Sequence, residues 1–375
     1  MNKKLLFLVT EDWYFLSHRL PLALACKQNG YEVFVACKNT GKIEEIKKYG
    51  FNCISLKLHR GYTSFFIFIK NILEIRKLIS NTGVSIVHAV SIQSIILVLF
   101  SLLFNGKVKL IAAVTGLGSL FLDKNLKERF IKNVLTIFLV LFLKQKKVRI
   151  IVQNSDDYNF FNRNLFCSSK KIFLIRGSGV DIQYHKFLEE PISSTIIITY
   201  VGRIIKDKGI EELITAFKIA SKNNKNIKLL LVGKIDDKNV RPISEKFIEE
   251  TINNNKNIQF LGEVADIREI WKVSHIAILA SKREGLPKSL LEAAASGRAI
   301  ISTDVPGSRE IALDSINAKI VKLGDINGLA EAILYLSQNN KIRKIYGLKS
   351  RELVESDMSQ DQVIESTLSL YKSFY

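Results

Sequence analysis

The chain has 375 residues, 47% hydrophobic and 24% charged, with 55 Lys and Arg against 36 Asp and Glu for a formal charge of +19. That length suits two domains each with its own core, and the apolar fraction excludes a disordered chain. Four scattered cysteines, without C-x-x-C pairs or a His cluster, argue against a disulfide framework or structural zinc and fit a reducing cytosol.

Leu5 to Val9 reads as a first strand rather than a secretory signal, because Glu11 and Asp12 follow almost at once. After its loop comes Phe15-Leu16-Ser17-His18-Arg19-Leu20-Pro21, where Ser17 and His18 can cap a helix or meet a polar ligand. Glu32 to Cys37 predicts a second strand, and Ser85 to His88 another that ends on His88. Ser64 to Lys70 and Phe130 to Lys147 set Phe, Ile and Leu beside Lys, the pattern of an interfacial amphipathic surface. Ile92 to Phe104 and Val134 to Leu143 fall short of the ~20 residues a membrane span needs. They read equally as helices buried against a sheet or as faces that touch a membrane. Val114-Thr115-Gly116-Leu117-Gly118-Ser119-Leu120-Phe121 is a Gly-containing loop after a further strand.

Residues 1–193 hold 28 Lys and Arg against 13 Asp and Glu, leaving 27 against 23 in the rest. The positive field of the N-terminal half suits an anionic partner. The interleaved Lys and aromatic residues favour an anionic membrane surface over nucleic acid, for which no motif is present. The Glu189-Glu190-Pro191 segment within Phe187 to Ser194 breaks the pattern and predicts a linker. Residues 1–187 then form one domain, 195–355 a second, and 356–375 a terminal helix.

In the second series, strands are predicted at Thr195 to Val201, Ile227 to Val232, Ile276 to Ala280, Ala299 to Thr303 and Ala318 to Leu323. The alternation with helices predicts α/β architecture with two Rossmann-like domains, and a ligand cleft at the carboxyl ends of their strands. Three motifs lie at those ends. Gly202-Arg203-Ile204-Ile205-Lys206-Asp207-Lys208-Gly209 pairs a bidentate Arg fork and a Lys point charge with glycines that admit close backbone approach, which suits a diphosphate. Gly233 closes the next strand, and Gly262 the one after. In Arg283-Glu284-Gly285-Leu286-Pro287-Lys288-Ser289-Leu290-Leu291-Glu292-Ala293-Ala294-Ala295-Ser296-Gly297, Pro287 suits the first helical position and Gly297 the cap. Glu284 then stays on the loop before a helix that contains Glu292. Unpaired N–H groups at that helix start favour an anion, and a carboxylate one turn inside can accept from sugar hydroxyls. On spacing alone, Glu284 complementing the helix dipole and Glu292 as a satisfied buried acid is an equal reading. The adjacent acids Asp156-Asp157 and Asp236-Asp237 read as a helix start or turn. No Asp-x-Asp with surrounding ligands is present, so a metal is not expected.

Together these motifs resemble the retaining nucleotide-sugar glycosyltransferases of family 4, built on the GT-B fold, over nearly the whole chain. Glu284 and Glu292 stand at that family's E-x7-E acids, and Gly202 to Gly209 matches its G-R-x-x-x-x-K-G pattern. The resemblance implies catalytic roles for Glu284, Arg203 and Lys208, with Arg203 and Lys208 neutralising the donor diphosphate. It places Glu292 on the ribose and Gly202, Gly233, Gly285 and Leu286 around the nucleotide. Ser17, His18 and His88 would face the acceptor, with a helix cap as the alternative for His18. Gly116 and Gly118 match the V-T-G-L-G loop of members that build lipid-linked bacterial surface glycans, such as O-antigen, capsule or N-glycan precursors. The loop lacks the His some members carry there, so no His role is assigned to it. His59, His185 and His275 have no comparable context and read as structural. The terminal helix would cross back to the N-terminal domain.

The implied activity is retaining transfer of a hexose or N-acetylhexosamine from a UDP-sugar to a lipid-linked acceptor, an undecaprenyl diphosphate glycan, with no cofactor. The enzyme would sit peripherally on the cytoplasmic face of the membrane. Alternatives are a soluble sucrose- or glycogen-type transferase, a non-catalytic nucleotide-sugar-binding protein, and a nucleic-acid binder.

Overall fold

The computed structural model describes residues 3–58, 65–103, 107–116, 145–164, 167–237, 239 and 241–374. It divides into two compact units, Met1–Ser178 with Gln362–Tyr375, and Gly179–Asp361.

The first unit is built on a parallel sheet of β1 (Lys3–Glu11), β2 (Tyr31–Lys38), β3 (Asn52–Ser55), β4 (Ile86–Val90), β5 (Lys109–Val114), β6 (Val148–Val152) and β7 (Ile172–Leu174). Their spatial order is β3-β2-β1-β4-β5-β6-β7. Along β1, Leu5, Phe7 and Val9 enter one apolar layer while Leu6 and Leu8 enter the opposite one. Both faces are covered, so the strand sequence is a continuous apolar run instead of an alternation. The helix Ile92–Ser101 buries Ile95, Leu97, Val98 and Leu99, as expected of a helix packed against the sheet. The helix Phe65–Thr82 exposes Phe66, Ile69 and Leu73. Gly118, His59, and the Val134 to Leu143 run lie outside the described residues, as does all of Phe130 to Lys147 before Gln145.

The helix Gln360–Lys372 contributes Val363, Leu368, Leu370 and Tyr371 to the layer that contains Leu5 and Phe7. From Gln362 onward it belongs to the first unit through that burial.

The second unit holds β8 (Ile196–Val201), β9 (Ile227–Val232), β10 (Ile258–Gly262), β11 (Ile276–Leu279), β12 (Ala299–Thr303) and β13 (Ala318–Val321). These strands are also parallel, in the order β10-β9-β8-β11-β12-β13. The order reverses between β8 and β11, which pair through Ile198 with Ile276 and Thr199 with Ala277. Loops leaving two such strands diverge to opposite sides, and the crevice they leave at the carboxyl ends is where open α/β sheets bind ligands.

The predicted linker needs correction. The second unit begins at Gly179, and residues 187–191 are strapped to it. Val180 N–H donates to Met358 O at 3.0 Å, and Val180 lies in the second unit's core. Arg351 donates to the carbonyls of Ile182 and His185. Arg298 donates to Leu188 O and Glu189 O, and Arg343 grips both Glu190 carboxylate oxygens at 3.0 and 2.7 Å. Arg343 and Glu190 expose 4% and 10% of their side chains, so this pair is held away from water. Pro, Glu and polar composition marks a break in periodic structure, but buried arginines decide where the chain is anchored.

Candidate active site

Two loops leave adjacent strands β8 and β11 at the reversal point. The first runs from Gly202 to Gly209 and the second from Ala280 to Pro287. A backbone bond from Lys282 N–H to Asp207 O, 2.9 Å long, ties them together. Across that tie Lys208 Nζ meets Glu284 Oε1 at 2.5 Å, with 22% and 10% of their side chains exposed. Arg203 Nη1 lies 2.8 Å from Asp236 Oδ2, on the loop after β9. The three sequence-predicted residues Arg203, Lys208 and Glu284 thus share one end of one sheet.

The backbone beneath them is fixed. Tyr200 is fully buried on β8, and its hydroxyl donates to Arg203 O at 2.7 Å. Burial, followed by the nearby Glu284 charge, holds the Tyr200 phenol well above its usual range, so it stays a donor. Gly233, at φ +136°, sits so near the Gly202 strand end that a Cβ would fall 1.9 Å from Gly202 O. Gly307, at φ +78°, supports the second loop in the same way, with a Cβ position 2.2 Å from Gly285 O. Backbone approach this close accepts only glycine. Tyr200 is not singled out by the sequence, where an aromatic in a strand is commonplace, whereas Gly307 stands in the Gly turn that follows the Ala299 to Thr303 strand.

The second acid lies on the helix Lys288–Ala295. Pro287 occupies the cap position just before it, with ψ 113°, one place earlier than expected. Gly297 follows the helix at φ +72°, as the spacing predicts. Glu292 exposes 12% of its side chain and lies 3.8 Å from Lys288. Burial pushes its carboxyl upward, which Lys288 opposes. Gly285 and Leu286 are half-buried between Glu284 and this helix.

In the first unit, Ser17 and His18 come together at the end of the helix Asp12–His18, where the sequence had placed them at a helix start. Ser17 Oγ and His18 Nδ1 are 2.6 Å apart, and the imidazole stacks on Tyr14 with centroids 4.4 Å apart. His88 departs from its expected place at the acceptor side. It is 1% exposed, stacks on Phe7 and pairs through Nδ1 with the Tyr371 hydroxyl of the C-terminal helix. Burial first, and then Arg19, holds it neutral. It is also the central residue of β4, paired with Phe7 on β1 and Ile111 on β5 rather than placed at the strand end as expected, and the terminal helix covers it. Gly116 follows β5 at φ +119°.

Asp12 was missed. Fully buried after β1, it accepts from the Trp13, Thr40 and Lys42 amides at 2.7–2.8 Å and from the Thr40 hydroxyl. Burial pushes its carboxyl up, but these bonds outweigh it and leave the group below the usual carboxylate range. The carboxylate therefore holds the turn after β2 against the start of the first helix.

A family model described as Glycosyl transferase 4-like matches residues 4–155, and one described as Glycosyl transferases group 1 matches residues 184–353. The chain belongs to the family 4 glycosyltransferases. The enzyme is 30% identical over 253 residues to the capsular polysaccharide biosynthesis glycosyltransferase CapM of Staphylococcus aureus, covering 63% of this chain and 66% of that protein. It is 26% identical over 352 residues to the N,N'-diacetylbacillosaminyl-diphospho-undecaprenol alpha-1,3-N-acetylgalactosaminyltransferase of Campylobacter jejuni, covering 88% and 90%. Among solved structures, HepE of Anabaena in complex with UDP and glucose superposes with a TM-score of 0.76 over 99% of this chain and 100% of that one, at 13% identity. That likeness supports the GT-B fold of this glycosyltransferase.

Proposed function

We propose that this glycosyltransferase moves a hexose or N-acetylhexosamine from a UDP-sugar to a lipid-linked glycan, an undecaprenyl diphosphate acceptor, with retention of configuration. The observation that carries the donor half is the Lys208–Glu284 and Arg203 cluster over two apposed loops at the strand reversal. As the glycosidic bond breaks, negative charge grows on the leaving diphosphate. Fixed cations aimed at that charge lower the barrier because they need no reorganisation at the moment of reaction. Arg203 and Lys208 supply them in place of a metal, Glu284 orients the donor sugar, and Glu292 accepts from the ribose hydroxyls.

The acceptor half draws its support from the relatives, one of which is named for an undecaprenol-linked substrate and one for capsule synthesis. The excess of basic residues before position 194 fits a peripheral site on an anionic membrane surface. No described helix is long and apolar enough to cross a membrane.

The test is transfer from a panel of UDP-sugars to extracted lipid-linked acceptors, with product anomers assigned by NMR. Transfer from one UDP-sugar to lipid, lost in Glu284→Ala and Arg203→Ala, supports the reading. Transfer to a water-soluble sugar instead would favour the sucrose- or glycogen-type alternative, and no reaction with any UDP-sugar would overturn the donor.

A further inference from the structure

Asp236 is a residue the transfer reaction does not call for, yet it stands against one of its two cations. Its Oδ2 lies 2.8 Å from Arg203 Nη1, and its side chain is 26% exposed. The loop that carries it is anchored on both sides to the Arg203 loop. Before Asp236, Ile204 N–H donates to Lys234 O at 2.9 Å, and Ile204 and Ile235 form a parallel bridge. After it, Lys206 N–H donates to Arg241 O at 3.1 Å, Ile205 and Pro242 form an antiparallel bridge, and Arg241 pairs with Asp207 at 2.9 Å. Asp236 directly follows the bridged Ile235, so its carboxylate cannot travel far from the Arg203 loop. The negative charge therefore stays near the backbone of the Arg203 loop even when the Arg203 side chain turns to a ligand.

We propose that Asp236 sets the charge selectivity of the donor site, weakening the nucleoside diphosphate product more than the sugar nucleotide and so speeding product release. This rests on the donor reading above. The two ligands differ by about one charge: a sugar nucleotide has two singly ionised phosphates, whereas a free terminal phosphate carries about −1.5 to −2 at pH 7. Coulomb repulsion from a fixed carboxylate scales with ligand charge, so the product bears more of it. Arg203 must also leave Asp236 to grip either ligand, which weakens both alike and cannot discriminate between them. Asp236 acts through Arg203 and the local field, as a positioning residue.

The experiment is calorimetric titration of wild type, Asp236→Asn and the surface control Glu352→Gln with UDP and UDP-glucose, at pH 7.5 and 5.5. Asp236→Asn keeps the shape of the side chain, and the backbone anchors of its loop are untouched. The expected result at pH 7.5 is tightening of both ligands, with UDP gaining about three- to tenfold more than UDP-glucose, the size of one added charge at a partly exposed site. At pH 5.5 the terminal phosphate takes up its proton and the extra gain should shrink, as it should in high salt. Glu352→Gln should leave the ratio unchanged. An unaltered UDP to UDP-glucose ratio in Asp236→Asn, with both ligands still bound, overturns the inference and leaves the donor reading standing. Failure of wild type to bind either ligand overturns the donor reading and the inference with it.

Discussion

Lys208 and Glu284, 76 residues apart in sequence, meet at 2.5 Å because β8 and β11 are neighbours in the sheet. Neither charge is well exposed, so each depends on the other. Glu284→Gln or Lys208→Met alone leaves a nearly buried charge unpaired, at a cost of about 1–3 kcal/mol of stability. Lys208→Met/Glu284→Gln together should recover much of that stability but not activity, with turnover down by about 10²–10³-fold in all three proteins. Thermal melts and initial rates on the same preparations check this. Full additivity of the two stability losses would contradict the pairing.

Gly307→Ala forces a methyl group to within 2.2 Å of Gly285 O at a φ of +78°. The loop carrying Glu284 must shift, at about 1–3 kcal/mol of strain, and the donor KM should rise about tenfold. Gly324→Ala is the control, because φ there is +83° but no atom lies within 4 Å of the added methyl. It should cost stability alone, about 1 kcal/mol.

Stability should fall as the medium is acidified from about pH 6.5. Burial is the main cause that holds His185 down to about 4, and it also lowers His88 and His275. A group depressed in the folded state takes up its proton first in the unfolded chain, so its contribution is whole above pH ~6.5 and is lost as pH falls toward the folded value. Asp12, also depressed, adds its loss only below about pH 4. Glu292 opposes the trend, since its raised carboxyl favours the folded state as it protonates. Urea denaturation at pH 7.5, 6 and 4.5 reads the slope, which should flatten in His185→Gln.

Arg343→Ala removes the partner of a carboxylate with 10% exposure, and two buried carbonyl contacts from Arg343 Nη1 to Leu336 O and Ser337 O. Breaking such a pair costs about 3–5 kcal/mol. The loss should appear in Tm and in earlier proteolysis near Glu190, with the donor KM unchanged in protein that remains folded.

Tyr371→Phe strands the buried His88 Nδ1, at about 1–3 kcal/mol. Hydrogen exchange should quicken in the helix Gln360–Lys372, while transfer activity persists.

The sequence by itself determined the two parallel-sheet units and the loop-then-helix placement of Glu284 and Glu292. Continuous apolar runs such as Leu5 to Val9 identify strands buried on both faces, and the spacing from Glu284 to Gly297 places one acid on a loop and the other inside a helix. These are short-range properties of backbone geometry and periodicity, readable within a few turns of chain. Tertiary structure alone decided which charges meet. Nothing local to Asp236 marks it as the partner of Arg203, 33 residues away, and nothing local to His88 says that Tyr371 will cover it. The same holds for the 187–194 segment, whose composition reads as a linker until Arg298 and Arg343 bind residues 188–190. Such pairings depend on strand order and on what burial leaves beside each polar group. Those are set when the sheet assembles, not by neighbours in the chain.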